Sequence, residues 1–184
     1  MSSFRRSLPT VILTFALTFF VATLLFQQDA SAKNVPISKA QSRITGSFNN
    51  ALKAFGNSDY ARAYYWFNLL AEAGHAKAQS NLGLLFLRGR GAAQDTDIAL
   101  RWFEKAAEQG HPTARYRLAM HYERGVGLKV NYVDALRWAL LGLQVTKSDS
   151  LRVKLRDFKD ELLDRMPQSQ IRKAVHLVKN TTGA

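Results

Sequence analysis

The chain has 184 residues, 26 Lys and Arg against 14 Asp and Glu, and no cysteine. That length is ample for one domain with a continuous core, and without cysteine the fold has to rely on packing alone, since no disulfide can form. The formal net charge of +12 favours an anionic partner surface but excludes no fold.

Residues 1–32 read as an export signal. Arg5 and Arg6 supply a positive start, residues 8–26 are an apolar run, and Ala30, Ser31 and Ala32 form a small-residue cleavage site. The predicted mature chain begins at Lys33 and keeps 24 basic and 13 acidic residues, a net charge of +11. The uncharged stretch 7–28 is also long enough for an uncleaved inner-membrane anchor, because about 20 apolar residues span a bilayer. Its threonines, Pro9 and the Ala-x-Ala site favour cleavage, and Pro9 and the strong hydrophobicity favour ordinary secretion over a twin-arginine route. A periplasmic or secreted location follows, and export argues against nucleic acid as a partner despite a pI near 10.2.

Residues 33–58 are a linker and one capping helix, with Ile44, Phe48, Leu52 and Phe55 on one face and Gly56 at its end. Residues 59–145 are a repeat. Trp66, Trp102 and Trp138 stand 36 residues apart, with Ala63, Ala99 and Ala135 three before each and Asp59, Asp95 and Asn131 seven before. Residues 59–94 and 95–130 share 13 identities in 36 without gaps. A fixed period of this length marks a stacked architecture.

Each period holds two helices and two turns. Asp59 caps a helix with Ala63, Trp66, Phe67 and Leu70 on its buried face, and Gly74 terminates it. A second helix places Ala78, Leu82, Leu85 and Phe86 together before Gly89 and Gly91. The next copy runs from Asp95 through Trp102 and Phe103 to Gly110, then from Pro112 through Ala114, Leu118, Ala119 and Tyr122 to Gly125 and Gly127. A third opens at Asn131 and drifts after Trp138. Residues 146–184 supply capping helices, one carrying Leu151, Leu155, Phe158 and Leu162, the other Ile171, Ala174, Val175 and Val178, with a break at Met166 and Pro167.

The runs Ala78-Gln79-Ser80-Asn81-Leu82-Gly83, Gly89-Arg90-Gly91 and residues 99–110 resemble the Sel-one-like repeat (SLR) family, relatives of the tetratricopeptide repeats. The likeness covers residues 59–142 and extends more weakly to Leu163-Asp164-Arg165-Met166-Pro167, which is similar to the C-terminal segment of exported bacterial members. It implies an all-α, right-handed α-solenoid of stacked helix-turn-helix repeats, used for protein–protein contact in the bacterial envelope or at the host interface. Some secreted members carry a disulfide in each repeat and are linked to β-lactam binding. This chain has no cysteine, so that link does not carry over.

Catalytic and metal signatures are missing from the sequence. His75 and His111 sit at equivalent turns, His121 and His176 are isolated, and there is no His-Glu-x-x-His and no Gly-x-Ser-x-Gly elbow. Gly89-Arg90-Gly91 and Gly125-Val126-Gly127 follow helices and lack the Lys-Ser/Thr ending of a phosphate loop. No cofactor, metal ion or enzymatic activity is expected; a hydrolase is the weakest of three readings.

If the first helix of each hairpin lines the concave side, as the resemblance implies, Lys77, Asn81, Leu84 and Arg88 face inward on one helix. Thr113, Arg117, Met120 and Arg124 follow 36 residues later, with Tyr116 alongside. Arg and Tyr are favoured anchors, and Met adapts to varied partners. The expected partner is another envelope protein with an acidic or extended segment, in contact with membrane only through an uncleaved signal. The alternative is an anionic envelope polymer, peptidoglycan or lipopolysaccharide, held by charge.

Overall fold

The computed structural model describes residues 37–182, and side chains from residue 45 onward; the predicted signal and its cleavage site lie outside the described residues. From Ile44 the chain forms one compact unit. Eight helices and no strand occur among the described residues: α1 (Ile37–Gly56), α2 (Tyr60–Glu72), α3 (Ala76–Arg88), α4 (Thr96–Glu108), α5 (Pro112–Arg124), α6 (Tyr132–Val145), α7 (Asp149–Arg165) and α8 (Gln168–Thr182). None of them is long and apolar enough to cross a membrane.

Helix starts follow the period. Asp59, Asp95 and Asn131 each accept a bond from the backbone N–H three residues on, at Arg62 (3.2 Å), Ile98 (2.8 Å) and Asp134 (3.1 Å). His75 and His111 do more than turn the chain. Gly74 and Gly110 adopt φ +86° and +85°, and the N–H groups of His75 and His111 close back on Leu70 and Ala106 at 2.9 Å. Each imidazole Nδ1 then caps the next helix, accepting from Ala78 N–H at 3.2 Å and Ala114 N–H at 3.3 Å. One residue thus ends one helix and begins the next.

Helix α4 packs against both α3 and α5, and α6 packs against α5, α7 and α8. The large aromatics divide this work. Phe67 and Phe103 are fully buried, whereas Trp102 joins the cluster of Phe67, Leu82 and Leu85 in the preceding repeat, and Trp138 joins that of Phe103 and Leu118. Phe fills the hairpin and Trp binds it to its neighbour. Trp66, expected in the core, has only α1 before it and is partly buried, packed against the first cluster. In α1 the packed residues are Phe48, Ala51 and Phe55, while Leu52 is 44% exposed.

Polar side chains stitch the layers. Gln79 Nε2 donates to Ala71 O at 3.1 Å, and Arg115, 36 residues on, donates from Nε to Ala107 O at 3.0 Å and from Nη1 to Leu141 O at 2.7 Å. Burial lowers the Arg115 pKa, and its guanidinium has no carboxylate partner among the described residues. Arg152 also donates to a carbonyl just past the preceding helix, Thr146 O at 3.0 Å, but six residues back rather than eight.

Gly91 shows how tightly the turns sit. At φ +76°, an added Cβ would stand 2.2 Å from Tyr60 O, a fixed backbone atom. Gly91→Ala is therefore expected to lower stability by about 2 kcal/mol or more, read as a drop in denaturant midpoint. An unchanged midpoint would show that the turn re-forms at no cost.

Candidate partner-binding groove

Helices α3, α5 and α7 line one groove of about 460 Å³. Leu84, Leu87 and Arg88 come from α3, Tyr116, Arg117, Met120 and Arg124 from α5, and Leu151 and Lys154 from α7. The i, i+3, i+4 spacing on α3 and α5 puts these side chains on the face opposite Leu82, Leu85, Leu118 and Ala119, which are buried. Two recesses continue it: one at Lys77, Thr113, Lys147 and Lys154, the other at Tyr116, Met120, Phe158 and Glu161.

Of the eight predicted residues, Leu84, Arg88, Tyr116, Arg117, Met120 and Arg124 line the main groove and Lys77 its extension. Asn81 does not; its amide donates to Lys77 O at 3.0 Å along its own helix. Arg117 is not a free anchor. Its Nη1 donates to Ser80 Oγ at 2.7 Å and Ser80 O at 3.3 Å, and its guanidinium lies 5.3 Å from the Phe103 ring. Desolvation, and then Arg88 nearby, bring its pKa down to about 10, so it remains charged at neutral pH while holding α5 to α3. Arg88 makes no side-chain hydrogen bond or ion pair among the described residues, and Arg124 has only a 3.6 Å pairing with Glu123, largely exposed. These two are the available guanidinium donors.

A model of the Sel1 repeat matches residues 53–75, 76–111 and 112–143. The chain belongs to the Sel1 repeat family. Each complete Sel1 repeat here is the pair α3–α4 or α5–α6, opening on the helix that lines the groove. Among solved structures, a protective antigen present in uropathogenic Escherichia coli strains, displaying an SLR fold, is similar at 26% identity and TM-score 0.68 over 78% of this chain. This chain spans only 31% of that protein's length. A Sel1 repeat protein from Oxalobacter formigenes is similar at 28% identity and TM-score 0.54, covering 65% of this chain and 93% of the other. Comparison with curated proteins finds no match. The stacked helical pairs form the α-solenoid of this family, whose repeats serve as protein–protein interaction modules and are generally non-catalytic.

Sequence reasoning missed α7 as a groove wall. Helix α6 is one residue longer than α4, and a slip of one residue turns a helix by about 100°, so an ungapped 36-residue copy aligns Val153 with Arg117. With 37, Lys154 follows Arg117, Asp157 follows Met120, Glu161 follows Arg124, and Leu155 takes the buried place of Leu118. The signal available was the leucine of the buried face, Leu82, Leu118 and Leu155, which steps by 36 residues and then by 37.

Proposed function

We propose that this Sel1 repeat protein is a non-enzymatic binding module of the bacterial periplasm or envelope, holding an acidic or extended segment of a partner protein in the α3–α5–α7 groove. The observation that carries this reading is the groove itself: an apolar floor of Leu84, Leu87 and Met120 flanked by Arg88 and Arg124, whose donors are not consumed inside the fold. An apolar floor with few placed polar groups is the usual make-up of a recognition site. Envelope location rests on the N-terminal sequence, and no covalent step is involved.

Photo-crosslinking in intact cells tests it. A photoreactive residue at Met120 should give one discrete protein adduct, absent when the probe is at exposed Val175 on α8. Arg88→Glu with Arg124→Glu should abolish the adduct, whereas Arg172→Glu with Lys173→Glu, exposed on α8, should leave it nearly intact. Exposed changes of this kind move stability by only about 0.5 kcal/mol each. Equal loss from both pairs, or a smear of polymer-linked material, would favour charge-driven binding of peptidoglycan or lipopolysaccharide and defeat the groove reading.

A further inference from the structure

Glu123 and Arg124 are the last two residues of α5, and there one carboxylate meets two cations. Glu123 Oε1 accepts from Arg165 Nη1 at 2.7 Å, while its Oε2 stands 3.6 Å from Arg124 Nε. Arg165, the last residue of α7, also donates from Nη2 to Tyr132 Oη at 2.7 Å, and its guanidinium lies 4.9 Å from the centre of that ring. Hydrogen bonding to Glu123, above all, raises the Arg165 pKa. The two pairings are unequal. A charge-assisted bond at 2.7 Å is strong and directional, whereas 3.6 Å lies outside hydrogen-bond range. The Glu123 side chain is 18% exposed and that of Arg124 62%, so Arg124 is open to an occupant of the groove while Glu123 is largely enclosed.

Resting on the binding reading above, we propose that Arg165 is a positioning residue for recognition: by holding the Glu123 carboxylate, it leaves the Arg124 guanidinium free to take a carboxylate of the partner. Without Arg165, Glu123 loses its short bond, and Arg124 is the one other cation it pairs with among the described residues. Being neighbours in the chain, the two would close into an internal pair that competes with the partner at high effective concentration. Asp157 and Glu161 share a recess with Arg124 but form no ion pair among the described residues, so Glu123 is the carboxylate that has to be restrained.

Two readouts on the full chain test this. The first is the rate at which phenylglyoxal modifies Arg124, followed by peptide mass spectrometry with exposed Arg172 on α8 as internal reference. A carboxylate partner favours the protonated guanidinium and so slows the reaction. Arg165→Ala should slow modification of Arg124 about two- to fivefold, the range of an exposed ion pair. Adding Glu123→Gln should restore the rate, and Glu123→Gln alone should match or exceed wild type. The second readout is the Met120 photo-adduct in intact cells, which should fall with Arg165→Ala and recover in the double variant. If Arg165 merely fastened α7 to the repeats, Glu123→Gln would break the same tie, weaken the adduct as Arg165→Ala does and rescue nothing. That result overturns the proposal, as does an unchanged Arg124 rate in Arg165→Ala. Labelling needs no partner, so it judges Arg165 even if wild type gives no Met120 adduct, the result that defeats the groove reading instead.

Discussion

Phe103→Ala is expected to remove about 3–5 kcal/mol of stability, the usual cost of truncating a buried aromatic, and to lower the melting temperature by about 10 °C. Phe103 has no exposed surface and packs with Leu118 and Trp138 in the central cluster. Its ring also closes on Gly83, where an added Cβ would stand 2.7 Å from Phe103 Cε1 and 2.9 Å from Ala99 O. Helices α3 and α4 are therefore close because position 83 has no side chain, and the Phe ring fills what remains. The backbone oxygen on the other side limits collapse into the cavity, which keeps the loss at the upper end of the range.

Trp102→Ala should cost a similar ~3–5 kcal/mol, since Trp102 is only 9% exposed and joins one repeat to the one before. Trp66→Ala should cost less, because Trp66 is only partly buried near the N-terminal end of the stack. Thermal melts of the three variants check the order. Equal losses at Trp66 and Trp102 would contradict the inter-repeat role, and an unchanged melt for Phe103→Ala would contradict the packing described.

Acidification should destabilise the fold through His111. Desolvation, and then Arg117, Lys77 and His75, lower its pKa to about 4 from the ordinary value of 6.5. His75 is lowered too, by desolvation and then by Lys77. Geometry agrees with the direction: Nδ1 accepts from Ala114 N–H, so a proton there replaces an acceptor with a donor facing a donor. The added charge would also lie at the positive end of the α5 dipole.

With the native pKa below the unfolded one, the unfolded chain takes up the proton first as pH falls. Stability from His111 is thus fully present above about pH 6.5 and is lost progressively as pH falls toward about 4. Discounted for partial exposure, the loss is about 2 kcal/mol between pH 7 and pH 4.5. His111→Asn keeps a capping acceptor that does not titrate. Its stability should fall less over the same interval by about that amount, measured by denaturant unfolding at both pH values. Parallel pH profiles for the two proteins would show that the cap does not titrate in this window.

The sequence by itself determined the period, the helices and their caps. Trp66, Trp102 and Trp138 repeat at 36 residues, and Asp59, Asp95 and Asn131 cap locally, within a turn of the groups they satisfy. Spacing of 3.6 residues also separates the buried face from the open one, which puts Leu84 with Arg88 on one helix and Tyr116 with Met120 and Arg124 on another; that the two faces line one groove was implied by the family resemblance. Tertiary structure alone decided what each open-face residue does next. Arg117 reaches Ser80 on another helix, 37 positions away in the chain, and so serves the fold. The His75 and His111 caps, by contrast, are as local as those of Asp59 and Asp95, each reaching an N–H three residues on. Asp157 and Glu161 join the groove only because α6 is one residue longer than α4, a slip that turns α7 by about 100°. Periodicity specifies a face relative to its own helix axis; which neighbour that face meets depends on how successive helices pack, and a single-residue slip is enough to change it.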